Sequence, residues 1–445
     1  MDQRSNATLF RPGLVPTILS FVTACTAAVV LMNADASAQS PAPAPASTDG
    51  AFIADPASVR SLGFSTVWQV GVRIGPQTKA TGIDATDPDN DSVFVRDTGP
   101  GVARVLVRDG RTVWRDRIGE PTDRVLSVAR APQPKRDQVV VCLDSGILAA
   151  DFMTGRLAAR HKITRLPTTP AVVAGDYAIF GSKAGQVVWQ QLSIGAFMHV
   201  NGVPGTVVDE PQPLPDAVAV GSSSGEVAVF SAGRGKSVWR HDVGAGVVGN
   251  LASDPVSVYA RCSDHSVHAM DIGSGKMRWR WKSSDELGGR LFAAGGLVLT
   301  RIEGGDLVAL ESLRDTATDM SLRDGRVAWR SSVVGDPICM IDDDFMLWDA
   351  RTRTATTISS AGGKVSATAR FPDAVGIAVS RTEQPDLYLL SANGLLQRCA
   401  PLKPTGESTP ASKPEIKPAP TADADSDADA APDADANAES ESTEP

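Results

Sequence analysis

The sequence predicts an all-β protein, an eight-bladed β-propeller, with seven blades as the alternative. Three observations support this prediction. A strand-turn-strand-turn-strand unit recurs with a period near 40 residues, glycine marks corresponding turns in most units, and an N-terminal segment supplies a strand that the last unit lacks. A radial repeat of short strands is typical of propellers, because each unit buries its faces against its neighbours.

The clearest copy of the unit is the segment VSVYARCSDHSVHAMDIGSGKMRWRWK, at residues 256–282. Apolar residues alternate along the chain on both sides of a polar turn at 263–265, which indicates two strands. A second turn at Gly275 leads into a third strand that contains Trp279. Each unit therefore has three predicted strands and two tight turns.

The two turns recur at regular positions. The first turn of the eight units lies at Gly101, Gly146, Gly185, Gly225, His265, Gly305, Asp343 and Gly394. The second turn is marked by Gly110, Gly155, Gly195, Gly235, Gly275 and Gly325. Glycine suits such turns because it adopts a positive φ without steric strain. The seventh unit, at 338–358, departs from the pattern, and seven blades therefore remain the alternative.

Tryptophan follows the second series of glycines at a distance of four residues. The series comprises Trp114, Trp239, Trp279 and Trp329, with Ala159 and His199 in two other units. Trp68 joins the series, because TVWQ at 66–69 matches TVWR at 112–115. A large ring at a fixed register fills the space between neighbouring sheets, so these five tryptophans are predicted to pack between blades.

The ends of the repeat array predict that the ring closes. The last unit continues through 395–400 without a tryptophan strand, and the segment 64–74 carries one. We therefore expect this N-terminal segment to be the outer strand of the last blade. Such closure removes the exposed edge strands at which an open array would aggregate.

The propeller is predicted over residues 61–402, and residues 1–38 are a targeting segment. Two arginines precede an apolar run, and small residues before Gln39 predict a signal peptide that is cleaved after Ala38. The sequence VTAC allows a lipoprotein with lipid on Cys25, and the length of the apolar run allows an uncleaved membrane anchor. All three alternatives place the body outside the cytoplasm, in the periplasm or cell envelope.

The segments that flank the propeller differ from it in composition. Residues 39–60 are predicted to form a Pro/Ala-rich linker, and residues 403–445 a disordered acidic tail. Residues 404–445 account for the whole net charge of −9, so the body has no basic excess. A nucleic-acid partner is therefore not expected. We expect a monomer that meets a membrane only through its N-terminal segment.

No catalytic, cofactor-binding or metal-binding set is predicted. The body has four cysteines in separate units, without a C-x-x-C motif or a histidine partner, which predicts buried thiols, with one or two disulfides as an alternative. His265 and His268 are three residues apart across a turn and a strand, a poor spacing for metal binding. The aspartates at 84–91 lack the glycine and glutamate of a Ca²⁺ loop. His161 is expected to face solvent.

The repeat resembles that of a known family. AMDIGSGKMRW at 269–279 is similar to the A-x-D-x-x-T-G-x-x-x-W unit of the pyrroloquinoline-quinone (PQQ)-like β-propellers, and AADFMTGR at 149–156 is a second match. The resemblance covers residues 64–402 and implies that the tryptophan packs between blades. It also implies two kinds of relative, the BamB-like assembly factors and the quinoprotein dehydrogenases. The dehydrogenases carry adjacent cysteines and a Ca²⁺ site of Glu, Asn and Asp, and no two cysteines are adjacent here.

We therefore predict an exported, non-catalytic scaffold that uses no cofactor and binds envelope or outer-membrane proteins, as BamB-like propellers do. The alternative is a dehydrogenase that holds PQQ and Ca²⁺ in its central channel. The insertion at 312–322 is a candidate contact loop, because the fold does not need its length, and a drifted spacer is the alternative.

Overall fold

The structure is a computed structural model that describes residues 52–72, 78–132, 136–161, 163–312, 324–382 and 384–402. The predictions for the signal segment 1–38, for Cys25 and for the acidic tail 403–445 lie outside the described residues. The same holds for most of the insertion at 312–322 and for the part of the linker at 39–51. The described residues belong to one unit of the chain, Ser47–Pro445.

Within these residues the strands form eight antiparallel sheets of four strands, and each sheet is a blade. Blade 1 consists of β2 (Ala80–Asp84), β3 (Ser92–Asp97), β4 (Gly101–Leu106) and β5 (Thr112–Arg117). Blade 2 consists of β6 (Val125–Ala131), β7 (Gln138–Leu143), β8 (Gly146–Asp151) and β9 (Leu157–His161). Blade 3 consists of β10 (Val172–Ala174), β11 (Tyr177–Ser182), β12 (Gln186–Gln191) and β13 (Ala196–Gly202). Blade 4 consists of β14 (Gln212–Leu214), β15 (Ala217–Gly221), β16 (Glu226–Ser231) and β17 (Ser237–Asp242).

The remaining blades follow the same order. Blade 5 consists of β18 (Ala252–Ser253), β19 (Ser257–Arg261), β20 (Ser266–Asp271) and β21 (Met277–Lys282). Blade 6 consists of β22 (Leu287–Ala294), β23 (Leu297–Ile302), β24 (Leu307–Glu311) and β25 (Val327–Ser331). Blade 7 consists of β26 (Asp336–Ile341), β27 (Asp344–Asp349), β28 (Thr354–Ser359) and β29 (Val365–Arg370). Blade 8 consists of β30 (Ala374–Val379), β31 (Leu387–Ser391), β32 (Leu395–Pro401) and β1 (Phe64–Gly71).

The blades form a closed ring. First strands of neighbouring blades contact each other around the axis, and β2 of blade 1 contacts both β6 of blade 2 and β30 of blade 8. Blade 8 is completed by β1, which pairs antiparallel with β32 from Phe64 opposite Pro401 to Gly71 opposite Leu395. The eight-bladed fold and its closure by the N-terminal strand are confirmed, and the seven-bladed alternative is wrong.

Each blade has one strand more than the three predicted from the sequence. The additional strand is the innermost one, and in blades 3, 4 and 5 it spans only two or three residues (β10, β14 and β18). Alternation of apolar and polar residues cannot be read over so few positions. The sequence therefore reveals the three outer strands of a blade better than the one that lines the axis.

Blade 7 is out of phase with the predicted turn series. The turn at Asp343 joins β26 to β27, the first and second strands, whereas the corresponding turns elsewhere join the second and third strands. The equivalent turn in blade 7 ends at Arg353, with φ of 54°, as the turn in blade 5 ends at His265, with φ of 66°. Likewise Gly363 holds the place in blade 7 that the second series of glycines holds in other blades.

A short helix, α1 (Pro56–Ser61), precedes the closing strand. Its N-cap is Asp55, whose side chain accepts hydrogen bonds from two backbone amides of the first turn. The helix contacts β1 and β29, and Ile53 and Val59 are buried in the core between blades 7 and 8. The described part of the predicted linker is thus packed against the propeller.

The tryptophans of the repeat cross from one blade to the next. Each ring lies over a glycine between the third and fourth strands of the following blade, and each indole Nε1 donates a hydrogen bond to a backbone carbonyl there. These bonds of 2.6 to 3.2 Å run from Trp68 to Val107, Trp114 to Phe152, Trp239 to Ile272, Trp279 to Ser312 and Trp329 to Ser360. The N–H group of each indole thereby has a hydrogen-bond partner, while the ring fills the space between the two blades.

Blades 2 and 3 use other side chains at this place. His161 of blade 2 lies against Gly195 and is 4% exposed, so the prediction that it faces solvent is wrong. His199 of blade 3 lies over Gly235. Trp189, opposite His199 in the sheet, donates its Nε1 proton to the carbonyl of Ala232 at 3.0 Å. The interface between blades 3 and 4 thus receives its tryptophan from the third strand of blade 3, whereas the interfaces described above receive theirs from a fourth strand.

A second set of contacts between blades is absent from the sequence-based predictions. Arg96, Arg261 and Arg301 occupy the fifth position of a second strand, and each donates to backbone carbonyls of the next blade. Arg96 reaches Val125 at 3.0 Å, and Arg301 reaches Val333 at 2.9 Å. In the sequence these arginines are recognisable because each ends a similar four-residue segment of a second strand: VFVR, VYAR and VLTR.

Gly155→Ala is predicted to destabilise the propeller. At Gly155 φ is +73°, and an added β-carbon would lie 2.4 Å from Cδ2 of Trp114. The ring cannot move away without losing its hydrogen bond to Phe152. We expect the free energy of unfolding to fall by about 2 to 4 kcal/mol, measured by urea denaturation.

Gly244→Ala is the matched control for this variant. At Gly244 φ is +80°, but no heavy atom lies within 4 Å of the added β-carbon. This variant carries the backbone strain alone and should lose about 1 to 2 kcal/mol. Equal losses in the two variants would contradict the contact between glycine and tryptophan.

Candidate functional site

Two adjoining cavities open where the inner strands meet. The larger has a volume of about 500 Å³ and is lined by blades 1, 2 and 3 together with Glu210 and Arg381. The smaller, of about 320 Å³, is lined by blades 4, 5 and 6 and by the same two residues. We name the two cavities together the channel mouth. A concave site shared by many blades is where a propeller can receive a ligand or a partner.

The channel mouth carries as many acidic as basic side chains. The charged residues of its lining are Asp84, Asp87, Asp209 and Glu210, together with Arg96, Arg130, Arg290 and Arg381. Complementary charge selects partners, and a balanced set favours a partner that carries both signs. A polypeptide fits this description better than a polyanion does.

Asp84 is the most perturbed acid of the channel mouth. Its carboxylate lies 2.6 Å from Nε of Arg96, and its side chain is 11% exposed. Burial raises the pKa of Asp84 to about 6, although the guanidinium of Arg96 opposes this change. Gly82 leaves room for that guanidinium, since a β-carbon there would lie 2.8 Å from it. Asp84 is thus a carboxylate that titrates near neutral pH.

Glu210 faces two arginines across the channel mouth. Burial raises the pKa of Glu210, and the positive charges of Arg381 and Arg290 oppose that rise. Both arginines are exposed, Arg381 after β30 and Arg290 in the irregular part of β22. This side of the channel mouth therefore offers one carboxylate and two accessible guanidinium groups to a ligand.

The aspartate-rich segment before β3 forms an ion-pair network. Asp87 and Asp89 accept hydrogen bonds from Nη1 of Arg130 at 3.1 and 2.6 Å, and Asp137 accepts one from Nη2 at 2.7 Å. The same guanidinium lies 4.1 Å from the ring centroid of Phe152. Because Arg130 belongs to blade 2, the network joins blades 1 and 2.

Exposed apolar side chains occur in the outer parts of blades 2 and 3. Met153 and Leu157 of blade 2 are 65% and 49% exposed, and Ile194, Phe197 and Met198 of blade 3 are 61%, 44% and 47% exposed. All five lie in the turn before the fourth strand or in the fourth strand itself. We name these residues the apolar rim. Grouped apolar side chains at a surface mark sites of protein contact.

The cysteines of the described part of the chain are buried and free: Cys142, Cys262, Cys339 and Cys399. Burial raises the pKa of the Cys339 and Cys399 thiols to about 12. The statement that no cysteine has a histidine partner is wrong for Cys262, which lies beside His268. The turn that ends at His265 folds the chain back, so residues six apart in sequence come together.

The residues of the channel mouth were missing from the sequence-based predictions. They come from seven of the eight blades, with Arg381 in blade 8, and from the segments that follow or precede inner strands. The signal available was a charged residue outside the repeat pattern next to an inner strand, as at Glu210 and Arg381. This signal can be recognised only when the positions of the inner strands are known, and the sequence does not reveal them.

Comparison with known proteins places the chain in a family. A family model described as the outer membrane protein assembly factor BamB matches residues 65–178, 174–338 and 223–384, which span the ring from β1 to the segment after β30. The chain belongs to this family. The resemblance to PQQ-like propellers is thereby confirmed, within its BamB branch. A search of curated proteins finds no match to the sequence.

Solved structures share the fold of this BamB-family chain. BamB from Moraxella catarrhalis is 17% identical, with a TM-score of 0.58 over 76% of this chain and 97% of that one. The computationally designed Ika8 protein is 13% identical, with a TM-score of 0.55 over 74% and 98% of the two chains. The C-terminal WD40 domain of Sif2 is 8% identical, with a TM-score of 0.57 over 76% and 98%. Likeness at such low identity is a likeness of fold.

The described ranges of this BamB-family chain contain a single helix, α1, of six residues. No helix within those ranges combines the length and the apolar character that crossing a membrane requires.

Asp84→Asn is predicted to change how stability depends on pH. The pKa of Asp84 lies above its ordinary value of 3.8, at about 6 in the folded chain. Between these values the folded chain binds more protons than the unfolded chain, so this group lowers stability as the pH rises. From pH 4 to pH 7 the parent should lose on the order of 2 kcal/mol relative to Asp84→Asn, measured by urea denaturation.

Asp343→Asn, at an exposed turn of blade 7, is the control for this series. The control separates the effect of Asp84 from that of removing one negative charge elsewhere on the chain. A constant difference for Asp84→Asn would show that Arg96 cancels the effect of burial on the pKa of Asp84, and a difference that changes in the opposite direction would show that Arg96 outweighs burial.

Proposed function

We propose that this chain is an exported, non-catalytic scaffold that binds other proteins of the cell envelope. The observation that carries this proposal is the match of the BamB family model along the propeller, at 65–384. That family is described as an outer membrane protein assembly factor, and the proposal extends a role of this kind to the present chain. Fold alone does not determine function, so the site must supply the remaining support.

The apolar rim is the surface that we assign to the partner. Leu157 and Phe197 hold the same place in the fourth strands of blades 2 and 3, which lack the tryptophan of the repeat, and the other three side chains lie near them in sequence. Phe197 also lies 4.9 Å, by its ring centroid, from the guanidinium of Arg165. Aromatic and arginine side chains are enriched among residues that dominate binding energy. The balanced charges of the channel mouth support the same class of partner.

The proposal includes export of the propeller. Residues 1–38 have the composition of a signal peptide, and cleavage after Ala38 would make Gln39 the first residue. The intact mass of the protein isolated from the envelope fraction should therefore correspond to a chain that begins at Gln39. A mass that corresponds to a chain beginning at a lipid-modified Cys25 would support the lipoprotein alternative instead. The mass of an uncleaved chain would support the membrane anchor.

The quinone-dependent alternative receives little support from the lining of the channel mouth. PQQ carries three carboxylate groups and requires cationic side chains that are available to it. Arg96 is paired with Asp84, and Arg130 is surrounded by three carboxylates. The two accessible guanidinium groups, those of Arg290 and Arg381, face Glu210 and are fewer than the three carboxylates of the cofactor. The lining thus fits such a cofactor poorly, and no reaction step is derived from it.

The scaffold role is tested by capture from detergent-solubilised envelopes after crosslinking in cells. We expect the parent to capture specific envelope proteins, quantified by mass spectrometry. A variant with Ile194→Ser and Phe197→Ser should capture at least about tenfold less, because it loses two exposed apolar anchors. Both residues are more than two-fifths exposed, so their replacement should leave the fold intact.

Val365→Ser is the matched control for this capture. Val365 lies in the outer strand of blade 7 and is 54% exposed, as the rim residues are in theirs. The control should capture as much as the parent. Equal capture by all three proteins would remove the apolar rim from the proposal, and a parent that captures no envelope protein would remove the scaffold role.

A further inference from the structure

The turn between the second and third strands of blade 5 brings together three metal-binding side chains. Sγ of Cys262, a carboxylate oxygen of Asp264 and a ring nitrogen of His268 lie within 4.8 Å of one another. Cys262 and His268 are each 3% exposed, and the side chain of Asp264 is 27% exposed. Thiolate, imidazole and carboxylate are the side-chain ligands of Zn²⁺ in proteins.

The hydrogen bonds around His268 determine which ring nitrogen carries the proton. The hydroxyl of Ser266 donates to Asp264, and the same oxygen lies 2.9 Å from Nε2 of His268. Since the only hydroxyl proton goes to Asp264, Ser266 accepts from Nε2, and Nδ1 of His268 is left with a lone pair. That buried nitrogen has no hydrogen-bond partner among the described residues. A buried polar atom without a partner is unfavourable, and a bound ion is one way to satisfy it.

The fold does not require these side chains in blade 5. Cys262 forms an isolated bridge to Val247, as Ser222 does to Val207 in blade 4. His268 lies opposite Arg280, as Ala228 lies opposite Arg240. The same two positions therefore hold serine and alanine in a neighbouring blade with the same backbone. Their replacement by cysteine and histidine in blade 5 adds ligands without adding to the fold.

Arg280 occupies the place that a metal ion would take beside Asp264. Its guanidinium forms an ion pair with that carboxylate, and its side chain is 41% exposed. An ion pair at such exposure contributes little to stability, so Arg280 can turn into solvent when a metal ion replaces it.

We propose that Cys262, Asp264 and His268 form a binding site for a Zn²⁺-like divalent transition-metal ion, with the fourth position open to water. Three protein ligands and one open position give the tetrahedral geometry that this ion prefers. The site is distinct from the channel mouth and from the apolar rim, and it does not depend on the proposed scaffold role.

Co²⁺ serves as the probe, because its absorption reports both tetrahedral geometry and thiolate ligation. The full chain is freed of metal with a chelator and titrated with Co²⁺. We expect one equivalent to bind, with intense visible bands and a sulfur-to-cobalt charge-transfer band, and Zn²⁺ should displace it. Cys262→Ser should abolish the charge-transfer band, and His268→Ala should weaken binding at least about tenfold.

Both variants copy residues that blade 4 already holds, Ser222 and Ala228, so we expect them to fold, as circular dichroism can verify. Cys142→Ser removes another buried thiol far along the chain and should leave the cobalt spectrum unchanged. A charge-transfer band that survives in Cys262→Ser would place the metal elsewhere. Octahedral cobalt without sulfur ligation in the parent would overturn the proposal.

Discussion

The contact between a tryptophan and a glycine one blade ahead is the interaction on which the rest of the ring depends. The sheets have no hydrogen-bonded ladder between them, so their spacing is set by the side chains that fill the interface. A ring of eight sheets closes only if every interface holds a compatible spacing and angle. The same geometry occurs where Trp114 lies over Gly155 and where Trp329 lies over Gly363. In both cases the indole Nε1 also donates a hydrogen bond to a backbone carbonyl of the next blade, which fixes the position of the ring.

The fourth strands of blades 2, 3 and 7 lack the tryptophan, and those of blades 2 and 3 belong to the surface assigned to a partner. Ala159 and His199 stand at the tryptophan position of blades 2 and 3, and Leu157 and Met198 beside them are exposed. The outer parts of blades 2 and 3 expose two and three large apolar side chains, whereas the fourth strand of blade 7, which also lacks the tryptophan, exposes one, Val365. This concentration of apolar surface fits a requirement imposed from outside the ring.

Residues that recur at a fixed position of the repeat could be predicted from the sequence, and residues outside the repeat pattern could not. Glycine and tryptophan recur at fixed spacing, so the eight blades and the role of Trp68 in closure follow from the pattern. The inner strands carry too few residues for a pattern, and the channel mouth joins side chains from blades far apart in sequence. Cys262 and His268 meet through the path of one turn, which residue spacing alone does not reveal.

Arg96 connects the electrostatics of the channel mouth to the packing of the ring. Its Nη1 donates to two carbonyls of blade 2, while its Nε neutralises Asp84. A partner that brings a cation to Asp84 therefore competes for the carboxylate without breaking the backbone bonds of the arginine. The blade interface holds Arg96 in place in either case, so the carboxylate can exchange partners while the ring keeps its geometry. A scaffold that must bind without deforming benefits from this separation, because rigid elements position a site more accurately than loops do.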